Sequence, residues 1–543
     1  MGAKLGAAAA VVALADWLWW QKQQFGSSWG ALALALLVAA VAVRPALWRN
    51  RTAWLAAALA LFYAAALTDR PGPLALLLFG IGLGVTVLLP GVARFGDGWQ
   101  WLQRLGWHGI RLPVAVLRDL VHLNKLRRRA KRGGRVQAAQ LLARIAVPVT
   151  GSLIFLLLFA AANPVLEGWL ERLRLPEFDG MMIMRFFFWA AIFQLVWLHL
   201  RPRLPKRVAG TFEGRGDLAI AGFSPAALKL SLIAFNAVFA LQNLMDIAYL
   251  GGLAPLPQGM TLAEYAHRGA YPLIATASLA GLFTLVALRP GSTSARDPQT
   301  RGLLMVWIAQ NLLLVFMSGE RTIDYIKVYS LTEWRIAALM WMALVACGLV
   351  LIAVRMLRDK SASWLINTNL VAALAVLTPF TLVDISALAA QWNVRHAREA
   401  GGKGAALDLC YLNSMGAPAL LPLVELEKQP GLVPAFRDRV SVVRRQVQSG
   451  VIVDQQYHYW TARNARRLAA AEKQAGRIAA EGWWEKHDCD GSRPAPAGAT
   501  EPQGGLPLQA PPPVPAASQA PGAAATPDPA AQLRPPAPAD TPR

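Results

Sequence analysis

Cysteine is nearly absent from this chain, with three in 543 residues, which excludes a disulfide scaffold or a multi-cysteine zinc module. Charge is scarce too: 16% of residues are Asp, Glu, Lys or Arg, where an ordinary soluble protein has roughly 25%. Hydrophobic residues make up 55% of the chain and the mean hydropathy is +0.36. No water-soluble fold hides that much apolar surface, so a soluble globular enzyme is excluded. Histidine is also rare, and the seven present show no HExxH or other paired spacing. There is no CxxC, Walker or GxGxxG pattern, and Gly402-Lys403-Gly404 lacks the strand and spacing of a phosphate loop. No metal and no cofactor are expected, nor an ATP-driven pump or a dinucleotide-dependent dehydrogenase.

Long apolar runs are what the chain does have. A helix needs about 20 apolar residues to cross roughly 30 Å of hydrocarbon, and eleven stretches qualify as candidates. They lie near 2–20, 29–43, 53–67, 73–93, 145–166, 181–200, 225–250, 271–289, 302–317, 336–357 and 364–388. The second, third and ninth are short. The first runs into Asp16 and the cluster Trp17, Trp19, Trp20 rather than into small residues, so it reads as a retained helix and not a cleaved signal. Twenty tryptophans suit headgroup-level belts. The fold class implied is all-α, a polytopic transmembrane helix bundle.

Lys and Arg in alternate loops divide 27 to 8, which places the N-terminus inside and, with eleven spans, everything after 388 outside. The compartment expected is a bacterial cytoplasmic (inner) membrane. The domains expected are four helices in 1–93, a basic cytoplasmic loop in 94–144, and a seven-helix core in 145–388. A helical extracytoplasmic region follows over 389–490, broken at Gly401-Gly402, Pro430-Gly431 and Gly450. A Pro/Ala-rich tail at 491–543 lacks the large apolar residues needed to offset chain entropy and is expected to be disordered. No period of 20 to 50 residues recurs.

The net charge of +22 is concentrated in Lys125, Arg127, Arg128, Arg129, Lys131, Arg132 and Arg135, after an apolar stripe of Val114, Leu117 and Val121. That arrangement suits an anionic membrane surface. No aromatic or fold-level nucleic-acid signature accompanies it, so the bilayer is the expected partner and nucleic acid is not. If the tail is outside, Cys410 and Cys489 share an oxidising compartment. They are either bonded or free, whereas Cys347 falls in a span and should stay reduced.

Three polar constellations stand out. Lys229, Asn236, Asn243 and Asp246 share one face of the seventh span, either as a substrate or proton path or as interhelical glue. Asp246 and Arg185 both fall toward the outer ends of their spans, which suggests that they pair. In the loop 251–271, Thr261 to Glu264 forms a capping box followed by His267 and Arg268; Glu264 and His267 are an acid/base pair or simply a cap. Over 318–335, Arg321, Tyr325, Tyr329 and Thr332 fall on one helical face, suited to an anionic or sugar head group or to an aromatic belt. Together with Asp16, these residues sit at the outer level of the bundle and suggest a shared polar pocket there.

Several strings resemble a bacterial family of polytopic membrane proteins called domain of unknown function 4173, related to the 4153 type. They are ADWLWW at 15–20, QNLMDIAYLGG at 242–252, PQGMTLAEYAHRGAYPLIATASLAG at 257–281, RTIDYIKVYSLTEWRI at 321–336, QWNVRHA at 391–397 and LDLCYLNSMGAPAL at 407–420. Ser330 stands where the family pattern has Gly. The resemblance implies an integral membrane protein and no particular activity. A non-enzymatic transporter or envelope sensor/assembly factor is the function expected. The alternative is a membrane-embedded transferase acting on a lipid-linked substrate at the outer face through Asp16, Glu264 or Glu320.

Overall fold

A computed structural model describes residues 2–116, 118–119, 152, 180–211, 224–250, 279, 283, 296–457, 459–478 and 487–493. Among these the chain is helical without strands. Two of the apolar runs, 145–166 and 271–289, fall almost wholly outside the described residues. So do the seven-cation run 125–135, the loop carrying Glu264, His267 and Arg268, and the tail from 494.

Apolar runs become helices, and polar residues with short side chains start them. α1 (Gly2–Ala15) continues into a π-helical turn, Asp16–Gln21. α2 (Ser28–Ala42) and the single turn α3 (Pro45–Trp48) lead to α4 (Arg51–Asp69), whose first turn is capped by Asn50. α5 (Pro73–Leu88) and α6 (Gly98–Ile110) follow, with Asp97 capping α6. Then come α7 (Gly180–Leu200), α8 (Pro225–Leu250) and α9 (Pro298–Tyr329), the last capped by Asp297. α10 (Glu333–Leu357) and α11 (Ala362–Leu382) are capped by Thr332 and Ser361. Each cap side chain accepts a hydrogen bond from an otherwise unsatisfied first-turn amide.

Eight of the described helices are long and apolar enough to cross a membrane. α2, at 15 residues, is apolar but shorter than that. The last span ends at Leu382 rather than near 388: Val383 is extended and Asp384 caps a new helix, α12 (Ile385–His396).

Two apolar cores build the bundle. One joins α1, α2, α4, α5 and α7 around Tyr63, Leu67, Leu83 and Leu200. Gly30 lets α2 press against α4, since a Cβ there would fall 2.0 Å from the Thr68 hydroxyl. The other core joins α8, α9, α10 and α11 around Leu232, Leu304 and Trp307. α11 bridges the two groups, with Thr378 bonded to Tyr63 at 2.9 Å and Asn367 accepting from the Gly98 amide at 2.8 Å.

A C-terminal group of helices with its own apolar core, which we call the C-terminal domain, follows within the same compact unit, Met1–Arg493: α12, α13 (Leu409–Met415), α14 (Leu420–Glu427), α15 (Pro434–Tyr457) and α16 (Ala462–Ala475). Leu412, Leu420, Leu423 and Leu426 are fully buried in its core, each contributing about 1.5–3 kcal/mol. α13 and α14 are apolar enough together to resemble a bent span, but that apolar surface faces α15 and α16. Cys410 and Cys489 are disulfide-bonded, 79 residues apart with Cα atoms at 4.8 Å. Turns fall at Gly401 and Gly431, both with positive φ. Gly450, expected as a break, lies inside α15, because buried Val447, Gln448 and Val451 hold that stretch against the domain core.

Candidate functional site

The π-helical turn after α1 aims Asp16 inward. Arg185, near the start of α7, donates to both Asp16 oxygens at 2.8 and 2.5 Å. Trp189 Nε1 donates to the same carboxylate at 2.8 Å and Gln21 at 2.9 Å. The carboxylate thus accepts four bonds, the saturation a buried charge requires.

The polar stripe of α8 faces α9. Asn236 donates to the Leu303 carbonyl at 2.9 Å and accepts from Gln310 at 2.8 Å. Asn243 donates to the Gln310 carbonyl at 3.2 Å. Asp246, fully buried, accepts from Arg321 and, at 2.9 Å, from Gln242. Lys229, at the start of α8, reaches Gln299 and lies 3.9 Å from Asp297. The suggested Arg185–Asp246 pair does not form. Each residue is taken by the helix its own packs against, α1 for α7 and α9 for α8. Among the described candidates, Asp16 with Arg185 and Asp246 with Arg321 form two separate ion pairs.

The segment 318–335 continues the ninth span as α9 up to Tyr329. Arg321 points into the bundle, while the Tyr325 and Tyr329 rings lie tilted with centroids 4.7 Å apart and the Arg335 guanidinium is 4.3 Å from the Tyr325 ring. Thr332 leaves that face altogether and caps α10. Ser330 between them has φ of +69°, a region that favours glycine.

Beside this turn lies a pocket of about 230 Å³ lined by Lys327, Ser330, Trp392, Asn393, His396 and Lys403 among others. Trp392 and His396 stack at 3.9 Å. His396 Nδ1 bonds the Trp392 carbonyl at 2.9 Å, so Nδ1 carries the hydrogen and Nε2 is the remaining polar atom. The Gly404 amide donates to the His396 carbonyl, and a Cβ on Gly404 would come within 2.5 Å of that oxygen. Gly402-Lys403-Gly404 is thus a tight turn that places Lys403 at the pocket. Sequence spacing could not reveal this, because the named partners of Lys403 are 7 to 76 residues away.

A second feature missed in the sequence joins the domain to the bundle. Arg463 donates to Asp69 at 2.8 and 2.5 Å and to the Leu382 carbonyl at 2.6 Å. Arg466 also pairs with Asp69. Arg467 reaches Asp384 at 2.5 Å and Arg70 reaches it at 3.0 Å. Ser386 donates to Glu333 at 2.5 Å. Burial alone would raise the Asp384 carboxyl; the charges of Arg70 and Arg467 and the bonds from Arg467 and the Ala387 amide outweigh it and hold it below the usual range. Ser27 closes the same joint, its amide bonding Trp460 and its hydroxyl accepting from the Ala462 amide. Among the described residues no group of three or more His, Cys, Asp or Glu is placed to hold a metal.

Apolar spans, buried interhelical ion pairs and a polar domain held at one end define a helical membrane protein. The chain belongs to the family "Domain of unknown function (DUF4153)", whose profile matches residues 6–426. The match is to the 4153 type, and the 4173 resemblance is not confirmed. No curated protein and no solved structure shows significant similarity to it.

Proposed function

We propose that this is a non-enzymatic, multi-pass protein of a bacterial inner membrane, and that it acts as an envelope sensor or assembly factor rather than as a transporter. The observation that carries this reading is the charged joint at Asp69 and Asp384. Through it, α16 of the C-terminal domain grips the ends of α4 and α11, and Ser386 ties α12 to α10. A force on the domain therefore bears on three spans. The pocket of Lys327, Trp392, His396 and Lys403 lies between the end of α9 and α12, where an envelope ligand would touch both parts.

Eleven spans with the N-terminus in the cytoplasm and the domain outside fit this arrangement. Arg44, Arg111, Arg201, Arg301 and Arg355 all lie at the end of the bundle away from the domain, as cytoplasmic cations do. The chain leaves the described part at Asp119 at that end and returns at Gly180 at the other, where Arg185 meets Asp16. It leaves again at Leu250 near the domain and returns at Arg296 at the far end. The apolar runs 145–166 and 271–289, which lie almost wholly outside the described residues, are each long enough in sequence for one crossing.

The test is complementation of a deletion in the source bacterium. Arg463→Ala/Arg467→Ala should insert and form its disulfide normally yet fail to restore the deletion phenotype. Full restoration by that variant would remove the coupling reading, and solute flux or group transfer by the purified protein in vesicles would replace it.

A further inference from the structure

The end of the bundle away from the domain holds polar groups that nothing above explains. α6 has 13 residues, about 20 Å, too short to cross a bilayer. It exposes Trp99, Leu102, Trp107 and Ile110 on one arc and turns Trp101, Arg104 and His108 the other way. A helix so divided lies in the headgroup plane with its apolar arc dipped into the acyl boundary.

His108 is 4% exposed, and neither ring nitrogen has a hydrogen-bond partner. Beside it is His199, with ring centroids 5.2 Å apart and edge-on. His199 Nδ1 bonds the Leu195 carbonyl at 2.8 Å. Arg111 is 7% exposed; it gives one bond to the Arg203 carbonyl at 3.1 Å, while its Nε has no partner. Burying such donors unpaired costs about 1–3 kcal/mol each, which argues for an occupant. Burial, helped by His199, Arg111 and Arg44, pulls the His108 imidazole down to about 3, so it is neutral and keeps one N–H to donate.

The charge around it states what the occupant is. Lys4 lies in the field of Arg44 and Arg201, and Arg111 in that of Arg203 and Arg118, with Asp119 the acid acting on both. Arg201 at 2.9 Å and Arg203 already use that carboxylate. The excess is cationic, at headgroup depth, between helices.

We infer that this cluster binds the phosphate of an anionic phospholipid, with His108 and Arg111 donating to the phosphate oxygens and Arg44 supplying field. α6 holds the site at the level where that phosphate lies. The site is independent of the joint at Asp384 and differs from the seven-cation loop, whose attraction to the surface needs no buried, unpartnered donors.

The experiment uses the full chain, stripped of lipid in detergent and titrated with dioleoyl phosphatidylglycerol or dioleoyl phosphatidylcholine, with native mass spectrometry as readout. One phosphatidylglycerol should bind at least tenfold more tightly than phosphatidylcholine. His108→Gln and Arg111→Gln should each weaken it about tenfold, and Arg111→Lys less. A variant with the seven loop cations replaced by Gln should retain it. Competition by millimolar inorganic phosphate would support the site and identify the phosphate group alone as the ligand. Equal binding of the two lipids, or binding untouched by His108→Gln and Arg111→Gln, would overturn it. His108→Gln removes only the imidazole, and an unchanged melting profile separates lost binding from lost folding.

Discussion

Arg185 and Asp16 are 169 residues apart and meet through two parallel hydrogen bonds, with Trp189 and Gln21 completing the carboxylate. The pair ties the π-helical end of α1 to the start of α7. Asp16→Ala and Arg185→Ala should each lower the melting temperature in detergent. The double variant should melt no lower than the worse single one, because the two losses are one interaction. Arg185→Ala with Asp246→Ala should instead be additive.

Asp246 and Arg321 are 0% and 4% exposed in their side chains. Removing one partner of a buried pair leaves the other charge stranded, at about 3–5 kcal/mol. Arg321→Ala should therefore be more damaging to thermal stability than Lys327→Ala, whose partner Asp324 is in the open. Scanning fluorimetry on the two variants checks the order.

Ser330 holds a positive φ that glycine adopts without a Cβ penalty. Ser330→Gly should stabilise the turn by about 1 kcal/mol, and Ser330→Val should destabilise it by at least as much. Chemical denaturation of both variants gives the sign.

The Cys410–Cys489 bond closes a long loop, worth about 4–5 kcal/mol on the chain-entropy view. Reductant should lower the unfolding transition of the C-terminal domain and leave that of the bundle in place. Neither thiol should take an alkylating reagent before reduction, whereas Cys347 should after unfolding.

The joint at Asp384 should depend on acid. A carboxyl held low in the folded state stabilises fully above its unfolded value of about 4, and that contribution is lost as pH falls below it toward the folded value. Protease cutting near Val383 should be slow at pH 7 and rise below pH 4. Asp384→Asn should cut readily at both.

What the sequence determines here is the class of structure, because spanning helices follow from one-dimensional quantities. The length of an apolar run, the caps at Asn50, Asp297 and Thr332, and the seven-residue spacing of Lys229, Asn236 and Asn243 are all local. Partners are not local. The stripe on α8 indicates that a polar helix must face it, but only packing decided that α9 supplies Gln310 and Arg321, and that Arg185 turns to Asp16. The joint between Asp69, Asp384 and the arginines of α16 spans 79 to 397 residues, and the pocket at Lys403 needs the turn at Ser330 beside α12. Such sites are made by helices meeting at their ends, and no periodicity within one helix records which neighbour it will meet.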